Sequence, residues 1–590
     1  MQINTKLIPC DYQGVTLTSG IAKQQFEDVV DYFLRLPNDD ILLGFRRRAG
    51  LPHPGEELGG WYSNDGSFNI YDWDEIFNPF GQWLGFLAKA YRVTGDQRLL
   101  EKVAYLMKEW GKTIEADGYF FYSEQCNGLQ YAYEKMAGGL TDLYLYAGLK
   151  EAKDLLEIIT DWAQAHLPKY RCSANGTRSG FTGGNTAIHG IDNEWYTLPE
   201  NLYRMYLASG GERYKSFAGE WHYDYYWDAL QYGNPEVMTG VHGYSHVNTL
   251  NSAAYAYLVT GKEKYLTTIL KGYDLFQRHQ RMASGGFAFD EHLADPWGSN
   301  YYDVEQIAKS FEVPCGSWAV FKLTRHLLSI TGEAKYGDWA ETILYNGMFA
   351  ALPMKDDAQR RGKTFYYADY RIGGGRKVYY EHSFPCCSGT YPQAVTEYHN
   401  LIYYLGEDGI YLSQYLPSVL ETEWRGERLS LEICGNYPTE DQFSIQVKTD
   451  GTYRLSLRVP SWLREGEGNI LVNGEDSGIC LKAGEWAKLN RHWKTGDQIT
   501  VTFPMHLRLS PITPSHQERA ALMYGPMMLA AAGRRRTILG SPTHPEEIAG
   551  REPGTLRFTA QTPDGIPVTF LPFWTFQEKE WYTVYLDFLS

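Results

Sequence analysis

The chain has 590 residues, enough for about two to four domains. Its net charge of −16 argues against nucleic acid, which demands clustered Lys and Arg. Charged residues at 21% and hydrophobic ones at 43% are the balance of a soluble globular protein, and no stretch reaches the apolar length of a membrane helix.

The chain starts Met1-Gln-Ile-Asn-Thr-Lys-Leu7, without the charged-then-apolar pattern of a signal sequence. Cys10, Cys126, Cys172, Cys315, Cys386, Cys387, Cys434 and Cys480 are too scattered for a disulfide framework. Reduced thiols at a metal site favour the cytoplasm, with the periplasm or exterior as the alternative where a leader has been removed. Aromatic content is high, with 46 Tyr and 17 Trp; sugar-binding clefts and aromatic-rich cores both use such residues.

The first two thirds carry an internal repeat. Leu87-Ala-Lys-Ala-Tyr-Arg-Val-Thr-Gly-Asp96 is echoed at Leu140–Gly148, Leu202–Gly210, Ala254–Gly261 and Leu323–Gly332. Each copy spaces apolar residues as an amphipathic helix does, as in Val320, Leu323, Leu327 and Ile330. A glycine then supplies the left-handed residue that ends the helix, and a second helix turns back. The glycines at 95, 148, 210, 261 and 332 lie 53, 62, 51 and 71 residues apart. Five helical hairpins with room for a sixth predict an α/α toroid, and a helical solenoid is the alternative.

Several residues in the loops between these helices could do chemistry. His189 lies in Gly183–Gly190 and His246 opens a repeat helix; sugar contact and a structural role are open for both. Asp192, Glu194 and Glu200 are expected on a solvated face. Glu291 sits in the loop triplet Asp290-Glu-His292, and Tyr367 follows an apolar pair. Glu312-Val-Pro-Cys315 precedes the adjacent pair Cys386-Cys387 by some seventy residues. Three sulfurs and a carboxylate are the ligand set of a tetrahedral zinc site. Neighbouring cysteines fit disulfide geometry poorly, which leaves a shared metal or two buried small side chains. The other five cysteines are expected to be packing residues.

Beyond about residue 405 the pattern alternates. Tyr453, Leu455, Leu457 and Val459 share one strand face, as do Ile499, Val501 and Phe503, and Asn473-Gly474 marks a hairpin turn. Thr555–Phe558 and Trp581–Leu586 are the last strands expected. The organisation read from these patterns is an α/α toroid of six helical hairpins over 1–404, a β-sandwich over 405–510 and a second β-module over 511–590, with the N-terminal residues available to a β-module.

The order Gly285-Gly-Phe-Ala-Phe-Asp-Glu291, Glu312-Val-Pro-Cys315, Leu344-Tyr-Asn-Gly347, Phe365-Tyr-Tyr367 and Cys386-Cys387 resembles glycoside hydrolase family 127 over roughly residues 60 to 420. Those enzymes, typified by β-L-arabinofuranosidases, are cysteine glycosidases. The resemblance implies that Glu312, Cys315, Cys386 and Cys387 hold Zn2+, that Cys386 is the nucleophile and that Glu291 is the general acid/base. Two features depart from the family pattern. Val313 and Pro314 separate Glu312 from Cys315 where one residue is usual, and the loop before Glu291 is shorter. The spacing leaves open a distinct subfamily or another ligand in place of Glu312.

The expected activity is a retaining exo-glycosidase releasing a non-reducing terminal sugar, β-L-arabinofuranose first, with His189, His246 and Tyr367 contacting it. The expected partner is a carbohydrate, such as a plant cell-wall oligosaccharide, with neither nucleic acid nor membrane involved. The alternatives are the same chemistry on another sugar, such as an acidic branched sugar of pectin; a polysaccharide lyase using Tyr244 and His246; and a glycan-binding protein with a structural zinc.

Overall fold

A computed structural model describes residues 5–63, 78–124, 126, 128–167 and 194–589. The helices Phe80–Thr94, Leu129–Tyr146, Leu198–Ser209, Gly243–Thr260, Val313–Thr331 and Cys387–Ile402 each pack against the next, and the last packs against the first. That contact closes a ring, which rules out an open solenoid. Outside it lie Gln97–Gly111, Glu151–His166, Glu212–Glu220, Glu263–His279 and Gly337–Ile343, each against its inner partner. The sixth outer helix comes from the other end of the sequence, for Gly20–Arg35 packs on Cys387–Ile402.

The repeat glycines do what their spacing implies. Gly95, Gly210, Gly261 and Gly332 cap their helices at φ of 68°, 72°, 71° and 70°. A side chain at that φ is strained, and glycine removes the strain. Inner helices are buried on nearly every side, so polar residues facing the ring axis must pair. Lys322 reaches Glu200 at 2.7 Å, and Lys89 reaches Asp142 at 3.1 Å. These groups line an axial cavity of about 360 Å³ that the N-terminal segment around Leu7 and Tyr12 borders. Glu200 is therefore buried at the axis and not on the solvated face expected of it.

Strands take over at Tyr403. Among the described residues, one sheet of five strands joins Leu7–Pro9 to Tyr403–Gly406, Gly409–Leu412, Gly451–Arg458 and Trp486–Trp493. A second, of seven strands, runs from Glu475–Asp476 to Val15–Leu17. Both sheets thus take an N-terminal strand, which ties the start of the chain to the module after the ring. Asn473 and Gly474 form the expected turn at φ of 55° and 83°. The third sheet gathers strands from Leu507 onward and also pairs Gly375–Arg376, from the ring portion, with Trp581–Tyr582. Two details differ from expectation. The strand placed at Thr555 begins at Phe558, after a turn at Pro553-Gly554, and the run from Trp581 is two strands broken at Val584.

Arg458 joins the sandwich to the ring. Its side chain is fully buried and donates to Asp338 at 2.5 Å, Glu341 at 2.6 Å and the Ser413 carbonyl at 2.5 Å. Glu341 also accepts from Tyr437 at 2.9 Å and Trp462 at 3.0 Å. Removing one partner of a buried pair leaves a charge uncompensated at a cost of about 3–5 kcal/mol. We expect Arg458→Met to lower the free energy of unfolding by that order and so the denaturant midpoint, and Arg491→Met, on an exposed strand position, to leave the midpoint unchanged. Equal midpoints for the two variants would show that Arg458 does not hold the junction.

Candidate active site

The N-terminal ends of four consecutive inner helices converge at one end of the ring. Glu194 precedes the short turn leading into Leu198–Ser209, His242 caps Gly243–Thr260, Glu312 caps Val313–Thr331, and Cys386 caps Cys387–Ile402. Unsatisfied amides and the helix dipole make such ends favourable for anions. The residue types placed there are two carboxylates, a thiol and a histidine.

Glu312 lies in the two-residue strand Phe311–Glu312, opposite Tyr367. The helix starts at the next residue with Pro314 in its first turn, where the missing N–H costs nothing. Cys315 then sits three residues on and close to Glu312, so the two intervening residues do not separate the pair. Oε1 of Glu312 lies 3.6 Å from Cys386 Sγ and 3.7 Å from Cys387 Sγ. Cys315 Sγ lies 3.7 Å and 3.3 Å from the same two sulfurs and 2.9 Å from Thr390 Oγ1. The four donor atoms fall within 4.8 Å of one another. Glu312 Oε2 is buried without a hydrogen bond. Four groups that ligate as anions, packed this closely out of water, fit a metal ion.

The three sulfurs differ. Cys315 and Cys387 are fully buried, whereas Cys386 keeps 9% exposure and accepts from the Tyr366 hydroxyl at 3.2 Å. Burial works against ionisation of Cys386, but hydrogen bonds from Cys315, Cys387 and Tyr366 outweigh it and hold its pKa well below the usual thiol range. Burial pushes Cys315 and Cys387 well above that range. Burial, Cys386 and Glu291 push Glu312 up as well.

Glu291 reaches the site through a strained loop. Asp290 and Glu291 take φ of 45° and 65°, a region that costs non-glycine residues about 1–3 kcal/mol each. The loop is strapped to the helix entry by Gly243 N–H donating to the Glu291 carbonyl at 2.7 Å and Leu293 N–H to that of Val241 at 2.9 Å. The Glu291 carboxylate, largely buried, accepts a short hydrogen bond from Tyr367. Nε2 of His242 lies 3.5 Å from Glu291 and 3.7 Å from Glu312, and its Nδ1 lies 3.4 Å from Glu194 and 2.8 Å from Ser245 Oγ. Burial alone would depress His242, but Glu194 and Glu291 on either side push it well above the imidazole range. Burial likewise raises Glu291, and His242 with Tyr367 and Tyr366 overcomes it, down to about 2. In the free site the proton of this pair rests on His242.

Sequence reasoning missed His242 and Tyr366, and placed Glu194 on a solvated face. His242 immediately precedes Gly243, at the N-cap, while His246 is one turn into the helix. There His246 packs among Tyr196, Tyr223 and Tyr226, with Nδ1 2.8 Å from the His242 carbonyl, and is not brought to the cluster. Tyr244 and His246, two apart on a helix, point to different sides, and no contact between them assembles a lyase pair. Glu194 is buried, which corrects its expected solvation. His189, Asp192 and Cys172 lie outside the described residues. Of the cysteines expected to pack, Cys480 is exposed, while Cys10, Cys126 and Cys434 are half-buried.

The pKa directions give a reactivity order. In reduced, metal-stripped protein at neutral pH, Cys386 carries the thiolate and should alkylate with iodoacetamide before Cys315 or Cys387. Peptide mass spectrometry reads the order. Tyr366→Phe removes one hydrogen bond worth about 1 kcal/mol, less than about one pKa unit, and should leave that order unchanged. Labelling of Cys315 or Cys387 first would contradict the assignment.

The Beta-L-arabinofuranosidase, GH127 catalytic domain model matches residues 14–400, and the GH127 middle domain model matches residues 409–505. Among curated proteins none matches this sequence. A solved GH127 β-arabinofuranosidase superposes with a TM-score of 0.72 at 16% identity, covering 99% of this chain and 98% of that one. A GH127 β-L-arabinofuranosidase from Geobacillus stearothermophilus T6 gives 0.72 at 17% identity, over 98% of this chain and 100% of its own. A third structure, titled glycoside hydrolase, gives 0.70 at 16% identity, over 100% and 98%. With the catalytic-domain model spanning more than half of its length, the chain belongs to glycoside hydrolase family 127.

Proposed function

We propose that the chain is a retaining exo-glycosidase that releases a non-reducing terminal β-L-arabinofuranose, with Cys386 as nucleophile, Glu291 as acid/base and Zn2+ held by Glu312, Cys315, Cys386 and Cys387. The observation that carries this reading is the asymmetry of the cluster. One sulfur of three keeps 9% exposure and is favoured as thiolate, near a carboxylate that lies 3.5 Å from a histidine. The sugar itself is suggested by the names of the family and of the similar structures.

Zinc bound by these donors would keep the sulfurs ionised at neutral pH and lower the basicity of Cys386 enough for it to leave again. Cys386 Sγ attacks the anomeric carbon as the glycosidic C–O bond breaks. The departing oxygen takes the proton of the His242–Glu291 pair, delivered through Glu291. Glu291, again ionised, then accepts a proton from water as that water displaces sulfur, and two inversions give net retention. Tyr367 and His242 fix the Glu291 carboxylate, and the strained loop keeps it facing the cluster. An apparent pKa of catalysis belongs to the His242–Glu291 pair and not to either residue alone.

A panel of aryl glycosides including L-arabinofuranoside, D-galactofuranoside and L-arabinopyranoside tests the sugar. Hydrolysis of the L-arabinofuranoside above the others is expected, and failure across the panel would remove it as substrate. The mechanism has separate readouts. Purified reduced protein should carry about one zinc per chain by elemental analysis, and Cys387→Ala should lose it. Cys386→Ala should abolish turnover even with good leaving groups. Glu291→Gln should lose about 10²–10⁴-fold with poor leaving groups and less with activated ones, and azide should restore part of it. A mechanism-based label found on a carboxylate, or wild-type rates in Cys386→Ala, would overturn the cysteine mechanism.

A further inference from the structure

The basic run Arg534-Arg-Arg536, one of two Arg triplets in this acidic chain, has no role in the site described above. The fold brings its first residue to another arginine. The pairing of Gly375–Arg376 with Trp581–Tyr582 sets Arg376 directly opposite Trp581. Its guanidinium lies 4.4 Å from the centre of that indole ring, and the guanidinium of Arg534 lies 4.8 Å from the same ring. Trp581 remains 37% exposed, and both arginines are exposed.

The arrangement is built around Arg534. Gly373 and Gly374 take φ of 83° and 121°, and a Cβ on Gly374 would stand 2.9 Å from the Arg534 side chain. Arg534 Nε donates to the Gly373 carbonyl at 3.4 Å. Arg535 follows, its Nη1 donating only to the Arg534 carbonyl at 2.8 Å. Among the described residues no carboxylate pairs with Arg376, Arg534 or Arg535. The surrounding acids are otherwise engaged. Asp369 holds Arg371, Glu578 holds Lys355, and Glu305 with Asp587 holds Arg536. Glu580, next to Trp581, accepts from the Gln577 N–H at 2.8 Å.

Two guanidiniums over one exposed ring, on a chain of net charge −16, concentrate positive potential at one place. Stacking uses the guanidinium faces and leaves the in-plane N–H edges for planar, bidentate recognition of carboxylates. Position narrows the partner. Arg376 is four residues from Tyr380, whose ring lies 4.7 Å from that of Tyr366 beside Cys386. Four extended residues span at most roughly 13 Å, the reach of a few sugar units. We infer that Arg376 and Arg534 around Trp581 form a docking site for the uronate carboxylates of an acidic polysaccharide that carries the sugar to be removed. This rests on the carbohydrate substrate proposed above, but it is read by binding alone, so loss of one reading does not imply loss of the other.

Affinity electrophoresis of the full chain through gels containing polygalacturonate, or neutral arabinan as control, tests it. Retardation by polygalacturonate alone, abolished by added salt, is expected. Arg376→Ala/Arg534→Ala should bind at least ten-fold more weakly, with an unchanged thermal midpoint and unchanged turnover of the small aryl glycoside. Absence of retardation in the wild-type protein, equal retardation of the double variant, or equal retardation by arabinan would each overturn the inference.

Discussion

Four side chains that bind metals as anions are confined within 4.8 Å of one another at a site from which water is largely excluded. Like charges at that separation cannot all be ionised without a cation, so the arrangement is stable only with protons or a metal at its centre. The surrounding fold moderates this conflict. Helix N-termini supply partial positive charge to Glu312, Cys315, Cys386 and Cys387. His242 adds a full cation between Glu291 and Glu312 and is itself steadied by Glu194 from the neighbouring helix entry. The α/α ring suits this chemistry because successive helix entries meet at one end, where each can contribute a short, rigidly held side chain.

The same logic runs down the ring axis. Lys135 lies 2.5 Å from Glu134 and 3.7 Å from Glu194, which links the site to the buried ion pairs lining the axial cavity. Those pairs cannot be replaced singly without leaving a buried charge, so the polar axis constrains which helices can be neighbours as strongly as the apolar faces do. Close approach matters too. A Cβ on Gly139 would stand 2.2 Å from the Gly81 carbonyl, so the helices Phe80–Thr94 and Leu129–Tyr146 meet nearly backbone to backbone.

Much of the ring was legible because its signal is local. A helix of apolar period ending in glycine needs no distant information, and four of the five repeat glycines cap their helices. Closure was not legible in the same way, since the sixth outer helix is Gly20–Arg35, more than three hundred and fifty residues before its inner partner. The same division holds in the site. Glu312, Cys315, Cys386 and Cys387 announce themselves by residue type. His242 and His246 look equivalent in sequence, and only the helix start, a single residue after His242, decides which one faces the cluster. Glu194 and Glu200 read as solvated because their partners, His242 and Lys322, lie far away in the sequence, Lys322 by 122 residues.

The β-modules do more than follow the ring. Leu7–Pro9 and Val15–Leu17 anchor the start of the chain in the sandwich, so the outer helix that completes the sixth pair is held from both sides. Arg458 ties the sandwich to the fifth outer helix through Asp338 and Glu341. The segment from Tyr366 to Arg376 is fixed at one end by Tyr367 pairing with Glu312 and at the other by Arg376 pairing with Trp581. A tyrosine that hydrogen-bonds the acid/base candidate is therefore on a segment whose two short strands, Tyr367–Ala368 and Gly375–Arg376, pair into two different sheets. Catalytic hydrogen bonds tolerate little displacement. The long sequence distance from Glu291 to Trp581 is thus bridged by a short mechanical one, and the site is a property of the ring and the C-terminal sheet together.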